Sequence, residues 1–483
     1  MGFIYSLAVI LIIYEGIIIH CEGAGGVGGT EDGGAGCAGP SNWRQDPSNI
    51  VTKEEQQLLK KKLVDMIDSK TLYQTLQKAV QNGATDPLVS EILQNCIFVI
   101  KTDQLGDETV GGIHEYYEEG DLFLKFGDYA EFDSFFEKFG DQVKKIEFDN
   151  SDDIYIVHDE IHMNIIHHIK RCADNLEELR MKTVNDVKFW EDISSGRNGT
   201  IFPEVKMFQL EGDSFQYPFK LDLFFPKLAT FNLYGEVYDK IYLDNVVTLK
   251  EIALITETME EDKLDVIFGN NMNMTTIVLY MPSKMATMHS IEGKLKQLQT
   301  LDVRDPEKKF LLRRNGNPVC KLLSVNHFRI RFHKKNEQIL FEELSFDMPG
   351  LNKLTFIIEH YQPDNRIVKF TKHFKHLEEV EFLVKLNHTV KCIEKLQHIK
   401  QLTTAIDEIE LDSLKKMFEN FDERSLLQTL KLEYRDELLF KAHETEMTKV
   451  ITHLKESKNS TWTLSHEKEI GTNKLFLIFG RKL

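Results

Sequence analysis

The chain has little cysteine, no long hydrophobic run beyond its N-terminal stretch, and no surplus of positive charge. Each shortage excludes a class. Six cysteines occur in 483 residues, and after Cys21 they stand far apart at Cys37, Cys96, Cys172, Cys320 and Cys392. No CxxC pair exists, which removes thioredoxin-like chemistry and the common structural zinc frameworks. A disulfide-framed secreted domain would carry a denser, even set. No apolar stretch after residue 20 approaches the roughly 18 residues that span a bilayer, so no membrane span is expected in the mature chain. Acids outnumber bases 77 to 59, a formal charge of -18, which argues against nucleic-acid binding through phosphate neutralisation. What the chain does have is 42% apolar residues against 28% charged. It can bury a core, and it is neither disordered nor fibrous as a whole.

Residues 3–19 are almost wholly apolar, interrupted by Glu15 and Gly16, and short residues follow at Cys21, Gly23 and Ala24. This pattern predicts a signal peptide over 1–23. As an uncleaved anchor the run is short, and its glutamate makes it costly. Residues 24–51 read as a Gly-rich flexible linker with nothing to bury. Gly23, Gly25 and Gly28 match a dinucleotide-binding spacing. Glycine continues where a helix should open, so the match is compositional. Glycosylation sequons stand at Asn198, Asn273, Asn387 and Asn459 and suit export.

The body of the chain repeats itself. An apolar residue, two others, an apolar residue, one other and a further apolar residue recur from Val143/Ile146/Phe148 to Leu427/Leu430/Leu432. Among them are Leu249/Ile252/Leu254, Met274/Ile277/Leu279, Leu298/Leu301/Val303 and Val325/Phe328/Ile330, with a weaker Ile399/Leu402/Thr404. From Ile252 to Val380 the middle residues step by 25, 24, 27, 26 and 26. Two earlier pairs, Phe98/Ile100 and Leu122/Leu124, precede Ile146/Phe148 at steps of 24. Between triplets, Ile161, Ile165, Ile166 and Ile169, like Phe132, Phe135, Phe136 and Phe139, fall at helical spacing and give one apolar face.

By period and apolar placement the chain resembles leucine-rich-repeat proteins over residues 96–464. The resemblance implies an α/β solenoid of about 12–14 repeats, with parallel strands on a concave face and helices or turns on a convex face. The family's asparagine after each strand is absent; Pro282, His333, Glu359 and Lys385 stand there instead. Residues 52–95 read as a helical N-terminal cap. Thr52 and Glu55 form a capping box, a second helix carries Leu72, Leu76 and Val80 and stops at Asn82-Gly83, and a third opens at Asp86-Pro87. Three short helices before such repeats resemble an F-box, although its Leu-Pro opening is missing. Residues 465–483 supply a C-terminal capping strand, with Trp462, Leu464 and Leu475 to Phe479 suited to a closing hairpin.

Little in the sequence suggests catalysis. His158, Glu160, His162, His167 and His168 cluster, but Glu160 is two residues from each of the nearest histidines and fits no metalloprotease spacing. Residues 149–153 start like a calcium loop without its glycine or closing glutamate. No enzyme activity, cofactor or metal is expected. The outward residues of adjacent strands should form columns on the concave face: Asn232, Ala253, Val278, Asp302 and Arg329, and beside them Tyr234, Ile255, Tyr280, Arg304 and Arg331. Tyrosine and arginine are enriched at binding hot spots, which marks Asn232, Tyr234, Tyr280, Asp302, Arg304, Arg329 and Arg331 as candidate binding residues. Ten basic residues lie between Arg304 and Lys335, a local reversal of sign, and Asn315-Gly316 reads as a hairpin turn among them.

Two functions fit. One is a secreted leucine-rich-repeat binding protein that presents its concave face to a protein or acidic glycan. The other is an intracellular F-box-like substrate adaptor of a ubiquitin ligase, which the sparse cysteines and missing double-cysteine caps favour. Secretion predicts a mature N-terminus near residues 22–25 and a mobility shift on glycosidase treatment. An intact Met1 and no glycan would turn the choice to the adaptor.

Overall fold

A five-residue segment with apolar side chains at its second and fourth places turns both to one side when extended. Such a strand cannot bury them alone and needs equivalent neighbours. The computed structural model describes Lys62, Leu63 and Met66 and, between residues 71 and 481, all but segments connecting the elements. The longest of those segments are 102–112, 150–158, 306–319, 333–345 and 359–370. The leader, the linker, Thr52, Glu55 and the Asn315-Gly316 turn lie outside the described residues.

Helices α1 (Leu72–Asn82) and α2 (Pro87–Asn95) precede strands β1 (Cys96–Lys101), β2 (Ile113–Glu118) and β3 (Asp121–Phe126). Helix α3 (Tyr129–Phe139) leads to β4 (Lys145–Asp149), α4 (Asp159–Cys172) to β5 (Glu178–Lys182) and α5 (Val187–Ser194) to β6 (Met207–Glu211). Then come β7 (Phe219–Lys220), α6 (Leu221–Phe224), β8 (Thr230–Tyr234), β9 (Ile241–Tyr242) and β10 (Glu251–Ile255). Helix α7 (Glu261–Asn270) leads to β11 (Thr276–Tyr280) and α8 (Met285–Lys294) to β12 (Thr300–Arg304). Strands β13 (Cys320–Lys321), β14 (His327–Phe332), β15 (Phe346–Asp347), β16 (Lys353–Ile358) and β17 (Glu379–Phe382) follow. The C-terminal part holds α9 (Thr389–Lys395), β18 (Gln401–Ala405), α10 (Leu411–Glu419), β19 (Thr429–Tyr434), α11 (Glu437–Lys458), β20 (Trp462–Lys468) and β21 (Leu475–Arg481).

The architecture is α/β, and among the described residues it comprises one 17-stranded sheet and two small two-stranded ones. From β4 onward the strands stack in chain order through β5, β6, β8, β10, β11, β12, β14, β16, β17 and β18 to β19, every pair parallel. Equivalent triplet positions face each other: Ile252 pairs with Ile277, Ile277 with Leu301, Leu301 with Phe328 and Phe328 with Leu354. Each of these inward residues is buried in one cluster that also holds Phe132, Phe136, Ile165 and Ile169 from the connecting helices. Thr404 takes an inward place that is apolar elsewhere and is fully buried too.

The backbone itself joins successive coils. A carbonyl ahead of each strand accepts two N–H groups from the next coil: Lys250 O from Thr275 and Thr276, Thr275 O from Gln299 and Thr300, Gln299 O from Asn326 and His327. The pattern runs from Lys144 to Lys400 and uses both lone pairs of each oxygen. Asn271 adds one side-chain version: its Oδ1 accepts from Leu249 N, and its Nδ2 donates to Val246 O. Gly235 (φ +142°) marks the tightest approach, since a Cβ there would lie 1.8 Å from Gly212 O.

The N-terminal end departs from simple succession. The pairs 98/100, 122/124 and 146/148 follow one another at equal steps in the sequence but do not stack in that order. Instead β1 sits between β3 and β4, parallel to both. Strand β2 then pairs antiparallel on the far side of β3. The other end closes likewise: β21 runs antiparallel to β19 and forms a hairpin with β20. Helix α1 ends at Asn82, ahead of Gly83, and α2 opens on Pro87. Their Leu72, Leu76, Ile92 and Leu93 join the common core. Among the described residues, no helix is long and apolar enough to cross a membrane.

Leu301 is completely buried on a central strand. Leu301→Ala should lower unfolding free energy by about 2–5 kcal/mol, read from urea unfolding. Leu323→Ala, at a residue 68% exposed, should shift it by roughly 0.5 kcal/mol or less. Similar losses from both would contradict the stacked core.

Candidate binding face of the sheet

Parallel register carries the outward residues into columns just as it does the inward ones. Asn232, Ala253, Val278, Asp302 and Arg329 stand on consecutive strands, as do Tyr234, Ile255, Tyr280, Arg304 and Arg331. Tyr280, Asp302, Arg304, Arg329 and Arg331 therefore stand on directly adjoining strands, while β10 separates Asn232 and Tyr234 from them. They are not, however, the solvent-open patch expected of a binding face. Asn232, Tyr234, Asp302, Arg304 and Arg331 are buried, and only Tyr280 and Arg329 are partly exposed. Strands about 4.8 Å apart shoulder each outward side chain between its equivalents. Arg304 stands between Tyr280 and Arg331, and Arg331 between Arg304 and Ile357.

Residues 302 and 304 share one side of β12, and 329 and 331 one side of β14. Asp302 Oδ2 accepts from Arg304 Nη2 at 3.3 Å and lies 3.8 Å from Arg329 Nε. One carboxylate thus serves two guanidinium groups, with a third beside them. Arg304 Nε and Nη1, Asp302 Oδ1 and Asn232 Oδ1 are buried without a hydrogen-bond partner. Other ion pairs lie on the same face. Lys182 reaches Glu147 at 2.7 Å, Arg180 reaches Asp121 at 2.5 Å, and Lys353 reaches Glu379 at 2.8 Å. At the N-terminal end the outward face is apolar: Ile97, Val99 and Phe123 form a small separate cluster, with Tyr116 stacked on Phe123.

Next to the arginines, His327 Nε2 is 3.0 Å from Thr355 Oγ1, which donates to Glu381 Oε2 at 3.1 Å. The threonine has one proton to give, so the imidazole must be the donor in its own bond. Burial, with Arg329 and Lys353 close by, pushes His327 down to about 3, and the ring is neutral at ordinary pH.

The other chemistry is dispersed. His168 is buried and bonds Asp133 Oδ1 at 2.9 Å, while His167 is exposed, 3.8 Å from Glu137. His158 and the side chains of Glu160 and His162 lie outside the described residues. Cys96, Cys172 and Cys320 are buried, and Cys172 and Cys320 are free of disulfides. Burial pushes the Cys172 thiol up to about 12, and burial followed by the Glu292 carboxylate pushes Cys320 up to about 11. Asn273 is exposed, whereas Asn198, Asn387 and Asn459 lie outside the described residues. Of the ten basic residues between Arg304 and Lys335, only Arg304, Lys321, Arg329 and Arg331 are described.

One grouping has no local sequence signature. His289 and Glu292 on α8 meet Cys320 of β13, with one possible ligand atom from each within 4.8 Å of the others. The helical spacing of the first two was readable, but nothing in the chain points from them to a cysteine in the next coil. No protein-family model matches this chain, and no curated protein matches it either.

The lowered His327 has a consequence for stability. Its folded value lies below the ordinary 6.5, so the unfolded chain binds the proton first as pH falls. Stability is full above pH 6.5 and is lost as pH drops from 6.5 towards 3, by up to about 1.4 kcal/mol per pH unit. His327→Gln should flatten the stability profile between about pH 6 and about pH 4 in urea titrations. An unchanged slope would rule out a buried neutral imidazole.

Proposed function

We propose that the chain is a secreted leucine-rich-repeat binding protein, not an enzyme, which receives an acidic group of a protein or glycan on the concave, helix-free face of its sheet. The repeat reading is supported by the triplet period together with parallel register from β4 to β19. A helical N-terminal cap is supported by α1 and α2, which contribute Leu76 and Ile92 to the core. The observation that carries the binding reading is the state of Arg304 on β12. Arg304 is buried with two donor nitrogens unsatisfied, and the carboxylate it reaches, Asp302, also lies 3.8 Å from Arg329. A buried unsatisfied donor on a charged group costs free energy. A sulfate or carboxylate on a ligand would supply the missing acceptors, and arginine forks suit such groups.

The test uses a heparin oligosaccharide as the acidic glycan probe. Binding should be salt-sensitive. Arg329→Ala is the variant of choice because that side chain is 15% exposed, whereas Arg331 is buried. It should weaken binding by about tenfold or more and reduce the salt dependence. Equal affinity in Arg329→Ala and the parent chain would end the proposal. The F-box-like adaptor remains the second reading because Cys172 and Cys320 are free thiols, as suits a reducing compartment.

A further inference from the structure

We propose that His289, Glu292 and Cys320 form a binding site for a zinc-class divalent cation, separate from the arginine face. His289 and Glu292 lie three residues apart on α8, on one side of the helix, and Cys320 opens β13. Cys320 Sγ is 3.1 Å from His289 Nδ1, and Glu292 Oε2 is 3.7 Å from that same nitrogen. Tetrahedral zinc with its usual bond lengths requires nitrogen–sulfur and nitrogen–oxygen edges of about 3.6 and about 3.4 Å. The two edges to the imidazole lie within about 0.5 Å of those values, and the sulfur and the carboxylate oxygen lie within 4.8 Å of each other.

The carboxylate is already oriented. Lys321 N–H donates to Glu292 Oε1 at 2.8 Å, which leaves Oε2 directed at the histidine. A backbone donor that fixes the outer oxygen of a ligating carboxylate is how metal sites hold their ligands in place. His289 and Glu292 side chains are 42% and 34% exposed, so an ion can enter from solvent. Cys320 is buried.

The rival is a thiol–imidazole–carboxylate relay for nucleophilic attack. Such a relay places thiol and acid on opposite ring nitrogens. Here both face Nδ1, while Nε2 lies 3.9 Å from Sγ. Three donors converging on one point is the geometry of ligation. Nitrogen, sulfur and carboxylate together suit zinc, whereas magnesium and calcium favour all-oxygen sets. When the ion binds, the Cys320 S–H bond breaks, its proton passes to solvent, and the sulfur lone pair forms the metal bond. Three protein ligands leave a fourth position for water or an outside donor.

The full chain, stripped with chelator and kept reduced, is titrated with Co2+ and then Zn2+. A thiolate-to-cobalt charge-transfer band should appear and be displaced by zinc. Cys320→Ser and His289→Asn should abolish it, and Glu292→Gln should weaken zinc binding by about tenfold or more, with far-ultraviolet circular dichroism unchanged. No thiolate band in the parent chain, or a band of full strength in Cys320→Ser, overturns the site. Should Cys320→Ser not fold, His289→Asn at the partly exposed position decides: an undiminished band there is equally fatal.

Discussion

The structure depends on one constraint: each short strand carries two inward apolar side chains that it cannot shield from water alone. Stacking equivalent strands in parallel register solves this for all of them together, since each pair is covered by the pairs on either side and by the returning helices. Burying a leucine-sized side chain contributes about 1.5–3 kcal/mol, so the repeated inward pairs supply the main driving force. The backbone follows from it. Once inward residues align, the carbonyl ahead of each strand meets the two N–H groups of the next coil, from Lys144 through Lys400. That link needs no particular side chain, so the repeats stack whatever residue follows each strand.

A stack of parallel strands leaves an open edge at each end, and open edges invite pairing with other chains. This chain ends both with an antiparallel strand. At the N-terminal side β2 carries Glu115 and Glu118, and at the C-terminal side β20 carries His466, Glu467 and Lys468 on its exposed half. Charge on an edge strand opposes further addition. Because β1 is inserted between β3 and β4, the hairpin of β2 and β3 can lie outermost and close that edge.

The inward pattern was legible in the sequence because burial demands apolar residues at fixed places, and Ile277, Leu301 and Phe328 could be nothing else. The positions of the outward columns were legible for the same reason, since alternation sets them once the inward residues are known. Their burial was not. Whether Arg304 faces water depends on its neighbours, Tyr280 and Arg331, which belong to other repeats. The order of the first strands was hidden too: three pairs separated by equal steps look alike whichever lies outermost. The meeting of His289, Glu292 and Cys320 was hidden because two segments distant in sequence create it.

The central claim is that equivalent residues of successive repeats lie side by side. Thr276 and Thr300 are direct partners on β11 and β12, within the distance of about 7 Å that a disulfide between their Cα positions requires. Thr276 and Arg304 are offset by four residues along the strand, about 13 Å. In the doubly substituted chains Thr276→Cys/Thr300→Cys and Thr276→Cys/Arg304→Cys, mild oxidation followed by mass mapping should find a bridge in the first and none in the second. A bridge in the second and not in the first would mean that the two strands run antiparallel, and the repeat architecture would fall with it.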